Sequence, residues 1–281
     1  MNRIILQHND VLKLLPDRRP DSHKGDYGRI LLLCGSRGYT GAAALAAMGA
    51  LRCGAGLVYL GVPDSVYVIE ATKLLEPVVF PLPDEDGMLS ESAIDQVRSR
   101  ILGMDAVLIG PGLGQSKGTK AVLEFVLQEF AGPVVVDADG INLLAGHTDI
   151  VRGRKAVTVL TPHPGEFARI GGLSGDREVA AVGMAKALGC IVVLKGHETV
   201  VTDGQKLYLN KTGNPGMAVG GSGDVLAGMI CALIGLGIAP LEAAACGAWL
   251  HGKAGDICAH KLGQYGMLPS DMLLEIPRLM K

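Results

Sequence analysis

Aromatic side chains are scarce in this chain of 281 residues, at 4%, and neither sign of charge is in excess: 26 Lys and Arg stand against 28 Asp and Glu, a net charge of −2. Without a basic surplus there is no electrostatic footprint for nucleic acid, and without a Lys/Arg run there is none for an anionic membrane. The longest apolar run, Val225–Pro240, falls short of the ~20 residues a membrane span requires and reads as a buried helix. The first residues, MNRIILQHNDVLKLL, are broken by polar side chains and contain no signal-peptide core. Six cysteines, at 34, 53, 190, 231, 246 and 258, form no CxxC pair and sit within apolar patterns. They are expected to be small core residues of a protein in a reducing compartment, the cytoplasm. The common nucleotide fingerprints are also missing. No GxxxxGK[ST] occurs, and the glycines at 35, 38 and 41 lack the GxGxxG spacing.

What remains is 48% apolar and rich in glycine, with 40 residues, the profile of an α/β enzyme with a sizeable core. Ala106–Ile109, Pro133–Val136, Val157–Leu160 and Ile191–Leu194 are short continuous apolar runs, which predict strands buried on both faces of a parallel sheet. Arg29–Cys34, Leu57–Leu60 and Pro77–Phe80 predict further strands, and Thr199–Leu209 a hairpin turning at Asp203-Gly204. Helical patterns lie between them at Ala42–Cys53, Ser116–Phe130, from Ile141 onward, and at Arg177–Leu188. No linker, composition shift or repeat divides the chain. The expected fold is one doubly wound α/β domain over 1–281, a mainly parallel sheet with helices on both faces.

Ligands of such sheets bind beyond the carboxyl ends of the strands, and that is where the polar strings fall. GSRGYTG (35–41), GPGLG (110–114), Asp137 with Asp139, TPHPGE (161–166) and KGHET (195–199) each follow a predicted strand. At most one of Asp137 and Asp139 is expected to face the site: Asp137 to order water around Mg²⁺, Asp139 to cap a helix. His163 and Glu166 are too few for a zinc site, whereas Mg²⁺ keeps its waters and accepts fewer protein oxygens. Glu166 is therefore either a ligand of Mg²⁺ through water or a first-turn acid on the next helix. Lys195 either meets a nucleotide phosphate or is solvated. The richest stretch is Asn210–Gly228, NKTGNPGMAVGGSGDVLAG. Gly220, Gly221, Ser222 and Gly223 let backbone amides close on an anion, and the helix expected from Val225 adds its positive end. Asp224 is then either an N-cap or a carboxylate at a phosphate site, where it would take a proton.

In their order these strings resemble the ribokinase-like superfamily and, within it, the ADP-dependent NAD(P)H-hydrate dehydratases. The resemblance rests on KGDYGRILLLCGS, YTGAAALAAMGALRCGAGLV, VLIGPGLG, VVDADGINLL, LTPHPGE, KGHETVVTDG and TGNPGMAVGGSGDVLAG. GGSGD corresponds to the superfamily's GxGD anion hole, and TPHPGE to its NxxE magnesium motif, with His163 where the kinases have Asn. The resemblance implies Asp224 as the catalytic residue. It implies Ala42, Gly114, His163 and Asp224 as contacts of hydrated NADH or NADPH (NADHX, NADPHX). Lys195, Gly196, His197, Glu198, Thr199 and Gly223 would hold the nucleotide, with Thr199 favouring ADP over ATP. It further implies Mg²⁺ as cofactor, a homotetramer, and the NAD(P)HX epimerase as functional partner. No fused epimerase domain is expected before Lys24. The rival expectations are a ribokinase-like kinase for a thiazole or pyrimidine alcohol, and a nucleotide-sensing module without catalysis.

Overall fold

The structure, a computed structural model, describes residues 2–281. In chain order the elements begin with β1 (Arg3–Ile4), α1 (His8–Leu14), β2 (Arg29–Leu33), α2 (Thr40–Arg52), β3 (Leu57–Pro63), α3 (Asp64–Lys73) and β4 (Val78–Leu82). A two-strand ribbon follows, β5 (Asp84–Glu85) with β6 (Met88–Leu89), then α4 (Ala93–Ile101), β7 (Ala106–Ile109), α5 (Lys117–Glu129) and β8 (Val134–Val136). Next come α6 (Asp139–Leu143), α7 (Asp149–Arg152), β9 (Thr158–Leu160), α8 (Pro164–Arg169), α9 (Arg177–Leu188) and β10 (Ile191–Leu194). The chain continues through β11 (Thr199–Thr202), β12 (Leu207–Asn210), α10 (Ser222–Gly235), α11 (Pro240–Leu262) and α12 (Pro269–Leu279).

Ten strands form one sheet in the order β1-β12-β11-β10-β9-β8-β7-β2-β3-β4. All neighbours are parallel except around β11, which runs antiparallel to both β10 and β12. The apolar runs are buried on both faces, as their lack of alternation predicts. Along β2, Ile30 and Leu32 enter one core and Leu31 and Leu33 the other; β7 divides Ala106 and Leu108 from Val107 and Ile109 in the same way. The first core is closed by α2, α10, α11 and α12, and the second by α4, α5 and α9. All six cysteines are buried and unpaired. Among the described residues no helix is long and apolar enough to cross a membrane.

Two close approaches fix the helix that bears Asp224. A Cβ on Gly49 of α2 would lie 2.6 Å from the Val225 carbonyl oxygen, and one on Gly228 of α10 would clash with the Ala46 carbonyl. The backbones of α2 and α10 therefore touch. With no side chain between them, the start of α10 is held directly against the helix that follows β2. The apolar run at Val225–Pro240 is indeed a buried helix, but the helix begins earlier, at Ser222, and Pro240 opens the next one.

Candidate active site

The loops after β2, β7, β8, β9 and β10 converge with the first turn of α10. Gly221, at φ 94°, caps α10, which puts Asp224 inside the first turn rather than at the cap. The N–H groups of Gly223 and Asp224 donate to nothing within the chain, as expected for the unpaired amides of a helix start. Such unpaired amides, beside the Gly220-Gly221 turn, are the kind of donors that bind an anion.

Beside these amides lies a cluster of charges. Lys195 Nζ is 2.6 Å from Asp137 Oδ1 and 3.9 Å from Glu166 Oε2. Asp137 is 1% exposed and also accepts the Thr161 hydroxyl at 2.7 Å. A Cβ on Gly223 would sit 3.2 Å from Lys195 Nζ, so the ammonium touches the start of α10. Lys195 is thus not a solvated side chain; it is a cation held within a carboxylate cluster. Burial alone would lower its pKa, but Asp137 and Glu166 outweigh that and raise it. Burial and the charge of Asp137 raise the Glu166 pKa, against Lys195. Asp224 is pushed up to about 6, first by burial and then by Asp137, with Lys195 opposing and Asp139 and Glu166 adding. A carboxylate with a pKa near neutrality is suited to general-base work.

The expectation for Asp137 and Asp139 is corrected. Both bear on Asp224, as residues two apart on an extended chain share a face. Ala138 between them has a φ of 51°, which turns the chain at the strand end. Nor does Asp139 cap its helix, whose N-cap is Ala138. Its carboxylate accepts the Gly114 amide at 2.9 Å and the Gln115 side chain at 3.1 Å, tying the GPGLG loop to the cluster. That loop is joined to the one after β2 by Ser36 Oγ, which donates to the Gly112 carbonyl at 2.7 Å. Gly112 lies against Tyr39 and Ala42. Ala42, in the first turn of α2, is thereby brought against the loop that carries Gly114.

His163 and Glu166 form the start of α8, with Glu166 as its first-turn acid. His163 Nδ1 accepts the Gly165 amide at 2.9 Å, and Glu166 accepts the His163 amide at 2.8 Å, a reciprocal cap on α8. The same Glu166 carboxylate reaches Lys195, while the half-exposed His163 ring leaves its Nε2 3.4 Å from Glu166 Oε1.

A hollow of about 580 Å³ opens beside the KGHET loop. Its lining joins Lys195–Thr199 to Ser222 and Gly223, and adds Asn210, Met217, Leu226 and His251, which sequence reasoning missed. Asn210, Met217 and Leu226 fall within the Asn210–Gly228 stretch without an individual role, and His251 gives no signal because it comes from α11 and reaches the hollow only through packing. Asp256 of α11 does this packing by accepting the Gly213 amide and the Asn214 side chain, at 3.2 and 3.1 Å. Burial lowers the His251 pKa to about 4, so the ring is neutral beside the Ser222 hydroxyl, 3.4 Å away. A slightly larger hollow, about 620 Å³, lies between α1, α2 and α12, around the C-terminal end of α2 and away from the strand-end loops.

Among the described residues no group of three or more His, Cys, Asp or Glu is arranged to hold a metal ion. The donor set nevertheless suits Mg²⁺. Asp137, Asp139, Glu166 and Asp224 are hard oxygen donors opposed by one ammonium, and Mg²⁺ is commonly held by one or two carboxylates, waters and nucleotide phosphates.

A mainly parallel sheet with the unpaired amides of a helix start and a buried carboxylate at its strand ends is the arrangement of a ribokinase-like protein. The comparisons agree. A similar chain is a ribokinase-like superfamily protein of Enterococcus faecalis, at 27% identity and a TM-score of 0.86, covering 98% of this chain and 94% of that one. A family model described as NAD(P)H-hydrate dehydratase matches residues 30–278. An ADP/ATP-dependent NAD(P)H-hydrate dehydratase from Bacillus subtilis, co-crystallised with ATP and Mg²⁺, is 32% identical, with a TM-score of 0.86 over 99% of this chain and 98% of its own. The chain belongs to the NAD(P)H-hydrate dehydratase family. It is also 44% identical over its full length to the bifunctional NAD(P)H-hydrate repair enzyme Nnr of Moorella thermoacetica, and spans 54% of that relative.

Proposed function

We propose that this protein, read as one ribokinase-like domain, uses ADP to dehydrate the S epimer of NADHX or NADPHX, releasing NADH or NADPH, AMP and phosphate. The observation that carries this reading is Asp224: a carboxylate with its pKa raised to about 6, in the first turn of α10 beside free amides. A phosphate site has no use for such a group unless it accepts a proton. Asp224 takes the proton of the substrate's ring hydroxyl, and the hydroxyl oxygen attacks the terminal phosphoryl of the nucleotide. Amides of the Gly220–Gly223 turn stabilise charge on the transferring group. The nucleotide phosphorus–oxygen bond breaks and AMP leaves. The ring-nitrogen lone pair then expels phosphate, and the adjacent ring carbon loses a proton, restoring the double bond. Phosphorylation matters because hydroxide is a poor leaving group and phosphate a good one.

Ala42, Gly114 and His163 line the hydrate side in this reading, and the hollow beside Lys195–Thr199 takes the adenine nucleotide. Lys195 balances Asp137 and Glu166 so that an anion can approach. Bound Mg²⁺ supplies charge neutralisation at the phosphates; Glu166 would hold it through water, with Asp137 beside it. His163 of TPHPGE, with GNPGMAVGGSGD, favours a dehydratase over a thiazole or pyrimidine kinase, and the intact Asp224 favours catalysis over nucleotide sensing. A homotetramer in the cytoplasm completes the reading, with an NAD(P)HX epimerase supplying the S epimer. The test is to incubate the protein with hydrated NADH, Mg²⁺ and either ADP or ATP, following dihydronicotinamide absorbance and free phosphate. Restored absorbance with phosphate release, faster with ADP, is expected. A stable phosphate ester would make the protein a kinase, and equal or faster turnover with ATP would overturn the ADP assignment.

A further inference from the structure

Against the KGHET loop, and outside the lining of the hollow, lies Arg177, the first residue of α9. Its guanidinium donates to the carbonyls of Leu194 and Lys195, each at 3.0 Å, and to the carbonyl of His197. A Cβ on Gly196 would lie 2.9 Å from the same guanidinium. The loop held in this way is unusual, with Gly196 at φ 144° and Glu198 at φ 54°. Such backbone persists only where its surroundings over-determine it.

A trans peptide sets its C=O and N–H in opposite directions. With the Lys195 and His197 carbonyls turned back to Arg177, the Gly196 and Glu198 N–H groups face away from it, towards the hollow that these residues line. The amides of Gly196 and Glu198 donate to nothing within the chain. Lys195, the cation of the loop, is already engaged by Asp137 and Glu166. We propose that Arg177 is a positioning residue of the nucleotide site, which turns the loop so that the Gly196 and Glu198 amides bind a phosphate of the nucleotide. Arg177 itself touches no ligand. It stands to those amides as the side chains behind a metal ligand stand to the ligand. The inference rests on the reading of this hollow as the nucleotide seat.

The experiment compares wild type with Arg177→Ala and Arg177→Lys, using ADP titration calorimetry, amide hydrogen exchange over 195–199, and steady-state kinetics. Arg177→Ala should weaken ADP binding about ten- to a hundredfold, the scale of a misplaced binding group, while kcat at saturating ADP stays within about threefold. Exchange over 195–199 should quicken without nucleotide, and that over β7 should not. Arg177→Lys, which reaches fewer carbonyls, should fall between and decides the matter if the Ala variant does not fold. Wild-type ADP affinity in the folded variants overturns the proposal, as does a loss confined to kcat or to melting temperature. ADP bound by wild type without protection of Gly196 and Glu198 also overturns it. Hydrate turnover without any nucleotide would instead overturn the reading under Proposed function, because calorimetry detects ADP binding independently of turnover.

Discussion

Asp224 and Lys195 form an electrostatic pair whose removal should have opposite signatures. Asp224→Asn keeps the shape and loses the proton acceptor, so kcat should fall ~10²–10⁴-fold; retention of more than about a tenth of wild-type kcat would defeat the assignment. Its stability effect follows from the raised pKa, about 6 in the fold. The protonated carboxyl is the favoured buried form, so its contribution is complete below the unfolded pKa and disappears as pH rises through about 6. Asn avoids the buried charge. The variant should therefore be more stable than wild type at pH 8, by up to on the order of 2 kcal/mol, and the gain should vanish towards pH 4. Melting curves across that range check the sign. Lys195→Ala leaves Asp137 and Glu166 without their cation and removes the group that holds the Asp224 pKa down. The nucleotide KM should rise more than that of the hydrate, and the acid limb of kcat/KM should move to higher pH. An unmoved limb would mean that Lys195 acts on the nucleotide alone.

Among the elements, the seam between α2 and α10 carries the anion site. Gly228→Ala pushes a methyl into the Ala46 carbonyl, and overpacking of this kind typically costs ~1–3 kcal/mol. Activity should fall beyond what the lost stability explains; melting temperature and kcat measured on the same preparation separate the two. Legibility in the sequence also differs by element. The limits of β7, β10 and α9 could be read directly, because continuous apolar runs or an Asp cap bound them. The 23-residue α11 could not, since Ala, Gly and Cys are buried around much of its surface and leave no amphipathic stripe. At the site, every strand-end motif was visible as a polar break in an apolar pattern. Arg177 and His251 were not, because each reaches the site from another element through packing.

For the whole molecule, ligand binding should be visible as stability. A nucleotide at a hundred times its dissociation constant adds ~2.7 kcal/mol if only the folded state binds it, which raises the melting temperature by about 5 °C or more in a chain of this size. ADP with Mg²⁺ should produce that shift in wild type, and at the same concentration only about 0.4–1.4 kcal/mol of it in Arg177→Ala if its affinity is ten- to a hundredfold weaker. The proposed tetramer is checked by sedimentation at micromolar concentration, where a monomer-only profile would remove it.

The glycines at the α2–α10 seam also have a mechanical meaning. Glycine is commonly associated with pliancy, yet here it lets two main chains meet with no compliant side chain between them. A displacement of α2 is therefore delivered to the start of α10 rather than absorbed. Substitutions along α2, remote from any ligand, should register in turnover as if made beside Asp224. Variation among chains of this architecture would then be tolerated in the outer loops and resisted along this seam.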